Sequence, residues 1–252
     1  MSRRRANRET LCWIETDFSV SKQPRTRSLD SPLVSLHFHG TLDPDAVPSG
    51  VEAVSALVTR PEVAAAWEQE SACAGMTVGG LTRHLISQAD LVVSLLQADP
   101  AAGADAEVIE VMEHYARAAW VREDLDGEAN TTIRSSSDEQ AAAGVDVALD
   151  VLSRARSRLD AALAAPPPTT YIPWQGWALA TDDFLVTRLM EMVVHSDDLA
   201  ASVDVPTPAF DDAVLDPVLH LLTAVSLRRH GQDALVRTLS RPQRAPDAIS
   251  AF

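Results

Sequence analysis

Apolar residues recur every three or four positions through most of this chain, which is the spacing of amphipathic helices. The pattern contains no alternation of strands with helices, no internal repeat and no glycine-rich phosphate loop. It predicts helices over about residues 51–58, 77–97, 105–125, 145–159, 181–199 and 219–227. We therefore expect an all-α protein, a bundle of four long helices with shorter accessory ones.

Polar residues and prolines mark where several of these helices should begin or end. Thr77 and Thr181 are good N-caps for the helices that follow them. Ser137 and Gln140 form a capping-box pattern ahead of the helix predicted over 145–159. Three consecutive prolines at 166–168 should stop that helix, because proline cannot continue the hydrogen-bond ladder.

Residues 1–42 differ from the rest of the chain. They lack sustained periodicity, mix Arg, Ser and Pro, and are basic, whereas residues 43–252 are strongly acidic. We predict a flexible, poorly structured N-terminal extension over 1–42 and a helical domain over 43–252. His37 and His39 alternate as in a strand and resemble ligands, but a random extension explains them better.

Composition excludes several classes of function. A net charge of −15 makes nucleic acid an improbable partner. No apolar run is long enough to span a membrane, and no apolar segment follows the basic start to serve as a signal peptide. Two cysteines, Cys12 and Cys73, exclude a disulfide framework. We expect a cytoplasmic protein.

The most informative pair is Glu191 and His195, four residues apart in the helix predicted over 181–199. This spacing places both side chains on one face, a single turn apart, where they can reach one metal ion. They border an apolar stripe, where an unpaired charge would be costly. The alternative is a weak contact between neighbouring side chains, which is common at this spacing.

His84 is the third candidate ligand. It lies one turn after Leu81 on the apolar side of the helix that Thr77 should cap. Taken alone, a histidine there is more simply explained as a core residue whose hydrogen bonds are satisfied.

Three segments together resemble a known family. They are residues 73–85, with a Thr-Val-Gly helix start followed by His84; residues 188–199, with the pattern Arg-Leu-x-Glu-x-x-x-His; and the tail 235–246. Over residues 47–252 the chain resembles the metal-binding domain of mycothiol-dependent maleylpyruvate isomerases, which are DinB-like helical bundles. The resemblance implies a divalent metal held by His84, Glu191 and His195.

The chemistry of these ligands is consistent with that implication. Two neutral imidazoles and a carboxylate suit zinc and leave coordination positions open, although the same set also serves non-haem iron. An open position would allow the ion to deprotonate a bound thiol, or alternatively a bound water. The resemblance makes mycothiol a candidate co-substrate.

Other residues could complete the site. Arg188, one turn before Glu191, could bind a carboxylate substrate or the thiol cofactor, although an ordinary salt bridge would also explain it. Asp198 could orient the His195 ring. Cys73 either faces the same cleft or is a small buried loop residue. The loop 165–180 has three aromatic residues that could cover the metal cleft or pack against the bundle end: Tyr171, Trp174 and Trp177.

Two classes of function remain open. The first is a metal- and thiol-dependent transferase or isomerase, or a metal-dependent hydrolase, acting on a small electrophilic molecule. The second is a non-catalytic metal- or ligand-binding module. Isomerases of the family carry an additional C-terminal α/β domain, which we expect to be absent here because a helix and a tail account for the residues after His195. Maleylpyruvate isomerisation is therefore not expected.

Overall fold

The computed structural model describes residues 35–99, 101–124 and 126–252. Within these ranges the chain is mostly helical, with one short two-stranded hairpin, so the predicted all-α class is confirmed. The helices are α1 (Ala46–Val58), α2 (Pro61–Ala65), α3 (Val78–Leu96), α4 (Val111–Arg117), α5 (Ala119–Arg122), α6 (Glu128–Ala141), α7 (Val145–Leu163), α8 (Thr181–Ser202), α9 (Asp212–His230) and α10 (Gln232–Ser240), followed by a 3-10 turn (Pro242–Arg244). The hairpin strands are β1 (Thr169–Ile172) and β2 (Trp177–Ala180).

The centre of the bundle is the pair α3 and α8. Helix α3 packs against α6, α7 and α8, while α8 also packs against α1 and α9. Leu81 and Leu85 of α3 and Leu189 and Met192 of α8 are fully buried in this core. None of the described helices combines the length and the apolar character needed to cross a lipid bilayer.

The helix predicted over 105–125 does not form as one element. The backbone of residues 107–109 pairs with β2 instead: Ile109 N donates to Ala178 O (2.9 Å), and Ala178 N donates to Glu107 O (2.8 Å). Helical structure begins only at α4 and breaks again before α5. Val108 in this segment is 55% exposed.

Helix α6 was not predicted, because little of it is apolar or buried. Ser137 and Gln140, interpreted as a capping box, lie inside α6, where the Ser137 hydroxyl donates to Ile133 O. Helix α7 instead begins after Gly144, whose φ of +90° is a conformation that favours glycine. Its end at Leu163, before the three prolines, is as predicted.

The start of α8 also differs in detail from the prediction. Thr181 is the first helical residue rather than the N-cap, and its hydroxyl donates to Pro167 O. The two strands just before it pair antiparallel, with Ile172 opposite Trp177. The hairpin thus places Trp177 beside the N-terminal end of the ligand-bearing helix.

The packed domain begins earlier than the boundary predicted at residue 43. Phe38 belongs to the core, and its N–H donates to Asp183 Oδ1 (2.6 Å). Gly40 N donates to Asp182 Oδ2 (2.7 Å). The first-turn carboxylates of α8 therefore hold residues 38–40 through backbone hydrogen bonds, which composition alone does not reveal. Residues 1–34, for which we predicted flexibility, lie outside the described residues.

Candidate metal centre

The start of α3 is fixed by a network of caps. The Thr77 side chain accepts a hydrogen bond from Gly80 N (2.9 Å), as a helix N-cap should. Asp138 of α6 accepts in turn from both Thr77 N (3.0 Å) and the Thr77 hydroxyl (2.6 Å). Helix α6 thereby anchors the turn from which His84 projects two turns later.

Two glycines allow this close packing. A Cβ atom on Gly79 would lie 2.6 Å from the Trp67 ring, and one on Gly80 would lie 2.0 Å from Asp138 Oδ1. The Trp67 ring is itself held by a hydrogen bond from Nε1 to Ala141 O (3.1 Å). The Gly-Gly pair therefore lets Trp67 and Asp138 contact the first turn of α3 directly.

The structure brings His84, Glu191 and His195 together. His84 Nε2 lies 3.4 Å from Glu191 Oε2, and His195 Nε2 lies 3.1 Å from the same oxygen. The two imidazole rings are 4.8 Å apart between centroids and nearly perpendicular. One candidate ligand atom from each residue lies within 4.8 Å of the other two. The convergence that we expected from two helices 107 residues apart in sequence is therefore present.

The three side chains are partly buried but remain open to solvent, at 19%, 14% and 23% exposure for His84, Glu191 and His195. Burial would raise the pKa of Glu191, but hydrogen bonds with His195 and His84 lower it well below its ordinary value. Burial lowers the pKa of His84. The cluster thus contains an ionised carboxylate and one neutral imidazole at neutral pH.

The far side of the His195 ring faces Asp198. His195 Nδ1 lies 2.9 Å from Asp198 Oδ2, and Cys73 Sγ lies 3.4 Å from the same oxygen. Cys73 is partly buried, and burial raises its thiol pKa, so it is a thiol and not a reactive thiolate. Cys73, His195 and Asp198 form a second cluster of potential ligands, but it uses the other nitrogen of the same ring. Asp198 therefore lies at the position where we expected an acceptor that orients the His195 ring.

Arg188 connects the two ligand-bearing helices. Its Nη1 donates to Gln88 Oε1 (2.7 Å), and its Nε donates to Thr187 Oγ1 (3.1 Å). Gln88 in turn donates to His84 O (2.9 Å). Among the described residues, Arg188 forms no ion pair with a carboxylate, so the ordinary salt bridge considered as an alternative is not seen.

His114 of α4 contacts the aromatic loop, a contact that the sequence did not predict. His114 is buried, and its Nδ1 accepts a hydrogen bond from Trp177 Nε1 (3.1 Å). Trp177 of the aromatic loop thus contacts a titratable group, while Trp174 is 55% exposed. His114 follows no ligand-like spacing, so only the tertiary structure could have revealed its position.

The described cavities lie elsewhere. One of about 560 Å³ runs along α6 and is lined by residues such as Glu128 and Glu139. Another of about 470 Å³ lies between Phe38 and α9, next to His220. Neither borders His84, Glu191 or His195, so the cleft that we expected beside the cluster is not one of these two.

Comparison with known proteins identifies the family. The family model described as mycothiol maleylpyruvate isomerase N-terminal domain matches residues 47–200, more than half of the chain. No curated protein and no solved structure matches this sequence. The matched range starts in α1, ends in α8 and includes His84, Glu191 and His195. This chain belongs to the mycothiol maleylpyruvate isomerase N-terminal domain family.

Proposed function

We propose that this protein binds one divalent metal ion, most simply zinc, through His84, Glu191 and His195, and uses it to activate a thiol. The protein would then act as a thiol-dependent transferase or isomerase on a small electrophilic molecule. The observation that carries this proposal is the convergence of two imidazole nitrogens on one carboxylate oxygen, at 3.4 and 3.1 Å.

The donor set fits such an ion. Zinc–ligand bonds of about 2.0–2.2 Å place neighbouring donor atoms roughly 3–4 Å apart, which matches the distances between these side chains. Two imidazoles and one carboxylate also leave coordination positions for an exogenous ligand. The partial exposure of all three side chains gives such a ligand access from solvent.

A divalent ion held by these residues would supply Lewis acidity and would lower the pKa of a coordinated thiol toward neutrality. The protein's own groups prepare the position. Asp198 accepts from His195 Nδ1 and so turns Nε2 toward Glu191. Arg188 places a cation one turn from Glu191, where it would bind the cofactor or an anionic substrate. The family name makes mycothiol the first thiol to test.

A non-catalytic metal- or ligand-binding role is the second candidate. It is favoured by the position of the two described cavities, neither of which borders the cluster. In both cases we propose that the partner is a small molecule or thiol in the cytoplasm, and that neither nucleic acid nor a membrane is a partner, since the net charge is −15.

Elemental analysis of metal-replete protein tests the metal site, with about one ion per chain expected. His195→Ala should weaken metal binding far more than His220→Ala or His230→Ala, since neither of these histidines is in the cluster. Protein that retains no metal, or equal losses in all three variants, would refute the site. Consumption of electrophiles with and without mycothiol then separates the catalytic from the non-catalytic role.

A further inference from the structure

Cys73 lies beside Asp198, which in turn faces Nδ1 of the His195 ring. Cys73 Sγ is 3.4 Å from Asp198 Oδ2, and the same oxygen is 2.9 Å from His195 Nδ1. One donor atom from each of these three residues lies within 4.8 Å of the other two. The second ring nitrogen of His195, Nε2, faces Glu191 instead. A thiol, a carboxylate and an imidazole nitrogen thus converge next to the first ligand cluster without using the donor atoms of that cluster.

The loop that carries Cys73 is fixed against α8. Ala72 N donates to the Ser202 hydroxyl (2.8 Å), and that hydroxyl donates to Asp198 O (2.6 Å). Within the loop, Cys73 N donates to Ser71 Oγ (3.1 Å). These bonds hold the thiol next to the carboxylate through the backbone, and not only through its own weak S–H contact. Such support is what a preformed ligand site requires.

The three donors suit a thiophilic divalent ion. Zinc takes thiolate, imidazole and carboxylate ligands, and a soft thiolate ligand selects against ions that prefer oxygen. Bonds of about 2.0–2.3 Å place neighbouring donor atoms roughly 3–4 Å apart. The 3.4 Å between Cys73 Sγ and Asp198 Oδ2 fits this range, and the 2.9 Å between Asp198 and His195 needs to lengthen only slightly.

An ion can reach this cluster from solvent. The Asp198 side chain is 31% exposed and that of His195 is 23% exposed, while Cys73 is only partly buried. A hydrated ion can therefore meet the three donors without opening the loop, and its remaining coordination positions can stay with water.

We propose that Cys73, Asp198 and Nδ1 of His195 form a second metal site, which binds a thiophilic divalent cation. This site goes beyond the proposed function and does not require an ion at the first cluster. Binding displaces the thiol proton of Cys73 and the proton on His195 Nδ1, and both pass to solvent. When both sites are filled, the His195 ring bridges the two ions. The second site is the weaker one, because filling it must break the hydrogen bond between Asp198 and His195.

Cadmium chloride is the probe, because a cadmium–thiolate bond produces an ultraviolet charge-transfer band. The chain has two cysteines, so the titration uses Cys12→Ser protein, in which Cys73 is the remaining thiol. We expect the band to saturate at about one cadmium per chain, also when zinc already fills the first site. Adding Cys73→Ser should abolish the band, and circular dichroism should show that this variant keeps its helices.

Two further pairs of variants, in the same Cys12→Ser background, test the other ligands. Asp198→Asn should weaken cadmium binding at least about tenfold, since loss of even an outer partner of a metal ligand costs that much. Asp197→Asn should not weaken it, because that exposed carboxylate accepts from Thr207. His195→Ala should weaken binding as Asp198→Asn does. His84→Ala should keep the band, because His84 belongs to the first cluster alone.

Absence of the band in Cys12→Ser protein would overturn the second site. A band that Asp198→Asn and His195→Ala leave unchanged would overturn it as well, since cadmium would then be bound to a lone thiol. Wild-type protein that retains no zinc, together with a band that persists in His84→Ala, would instead refute the proposed function and leave the second site standing. The two failures are therefore distinguishable.

Discussion

Asp198 and His195 lie one turn apart on α8, with Asp198 Oδ2 2.9 Å from His195 Nδ1. The opposite ring nitrogen, Nε2, lies 3.1 Å from Glu191 Oε2. Three residues of one helix thus form a line in which the imidazole separates two carboxylates. Such a partner fixes the tautomer and orientation of a metal-binding histidine and increases its basicity.

Replacing this partner should weaken metal binding without unfolding the protein. We expect Asp198→Asn to lower metal affinity about 10- to 100-fold, the range usual for loss of such a carboxylate, because a neutral amide stabilises a proton on Nδ1 less than a carboxylate does. Competition with a chromophoric chelator measures the change. Asp197→Asn is the matched control, since that exposed carboxylate accepts from Thr207 instead. Equal affinities of the two variants would contradict the role of Asp198.

Residues of the candidate site could be predicted from the sequence where they lie close together along one helix. Glu191 and His195 share a turn, so the helical period alone places them on one face. His84 could be added only because its motif resembles that of a family, since no periodic rule relates two helices 107 residues apart. The contact of His114 with Trp177 depends on tertiary structure, including the pairing of residues 107–109 with β2, and leaves no signal in the sequence of α4.

The fold was predictable for helices with a buried apolar stripe, such as α3 and α8. It was not predictable for α6, in which only Ser137 and Ala141 are buried. Its contacts with the rest of the domain include polar ones, such as Asp138 with Thr77, which hydrophobic periodicity cannot reveal. The same holds for residues 38–40, which backbone hydrogen bonds to Asp182 and Asp183 help to fix.

Metal binding should release about one proton per ion near pH 7, because ligands must be deprotonated to bind. Burial would lower the pKa of His195, but hydrogen bonds with Asp198, Cys73 and Glu191 raise it well above its ordinary value. His195 is therefore protonated in the metal-free protein, whereas the lowered pKa of His84 leaves that ring neutral. Calorimetry in buffers of different ionisation enthalpy counts the protons released.

The direction in which metal affinity changes with pH follows from the raised pKa of His195. Metal affinity should rise with pH until the pH exceeds the raised pKa of His195. In metal-free protein, the stability contributed by the His195 ion pairs is fully present below the unfolded pKa and is lost as pH rises through the folded one. Affinity that is constant between pH 6 and 9, with no proton released, would show that His195 is not a ligand.

Tyr115→Phe should leave the free energy of unfolding of ligand-free protein unchanged or raise it by up to about 1 kcal/mol. The reason is that its buried hydroxyl has no partner among the described residues, so removing the oxygen also removes a desolvation cost. Denaturant unfolding measures the difference against wild-type protein, with Tyr171→Phe as the reference substitution. A loss of more than about 1 kcal/mol in the Tyr115 variant would mean that the hydroxyl has a stabilising partner in solution.

Phe38→Ala tests whether the segment before residue 43 is part of the folded domain. Phe38 is 5% exposed and packs in the core, so truncation should cost about 2–4 kcal/mol of stability. For a domain of this size, that corresponds to a fall of roughly 5–15 °C in Tm, which calorimetry would measure. Metal content should not change, because Phe38 is not part of the ligand cluster.

His39→Ala is the neighbouring control, since its side chain is 74% exposed and its one described ion pair, with Asp182, is at 4.0 Å. If both variants melt with the wild type, residues 38–40 do not pack against α8 in solution, and the domain begins near residue 43 as the composition had indicated.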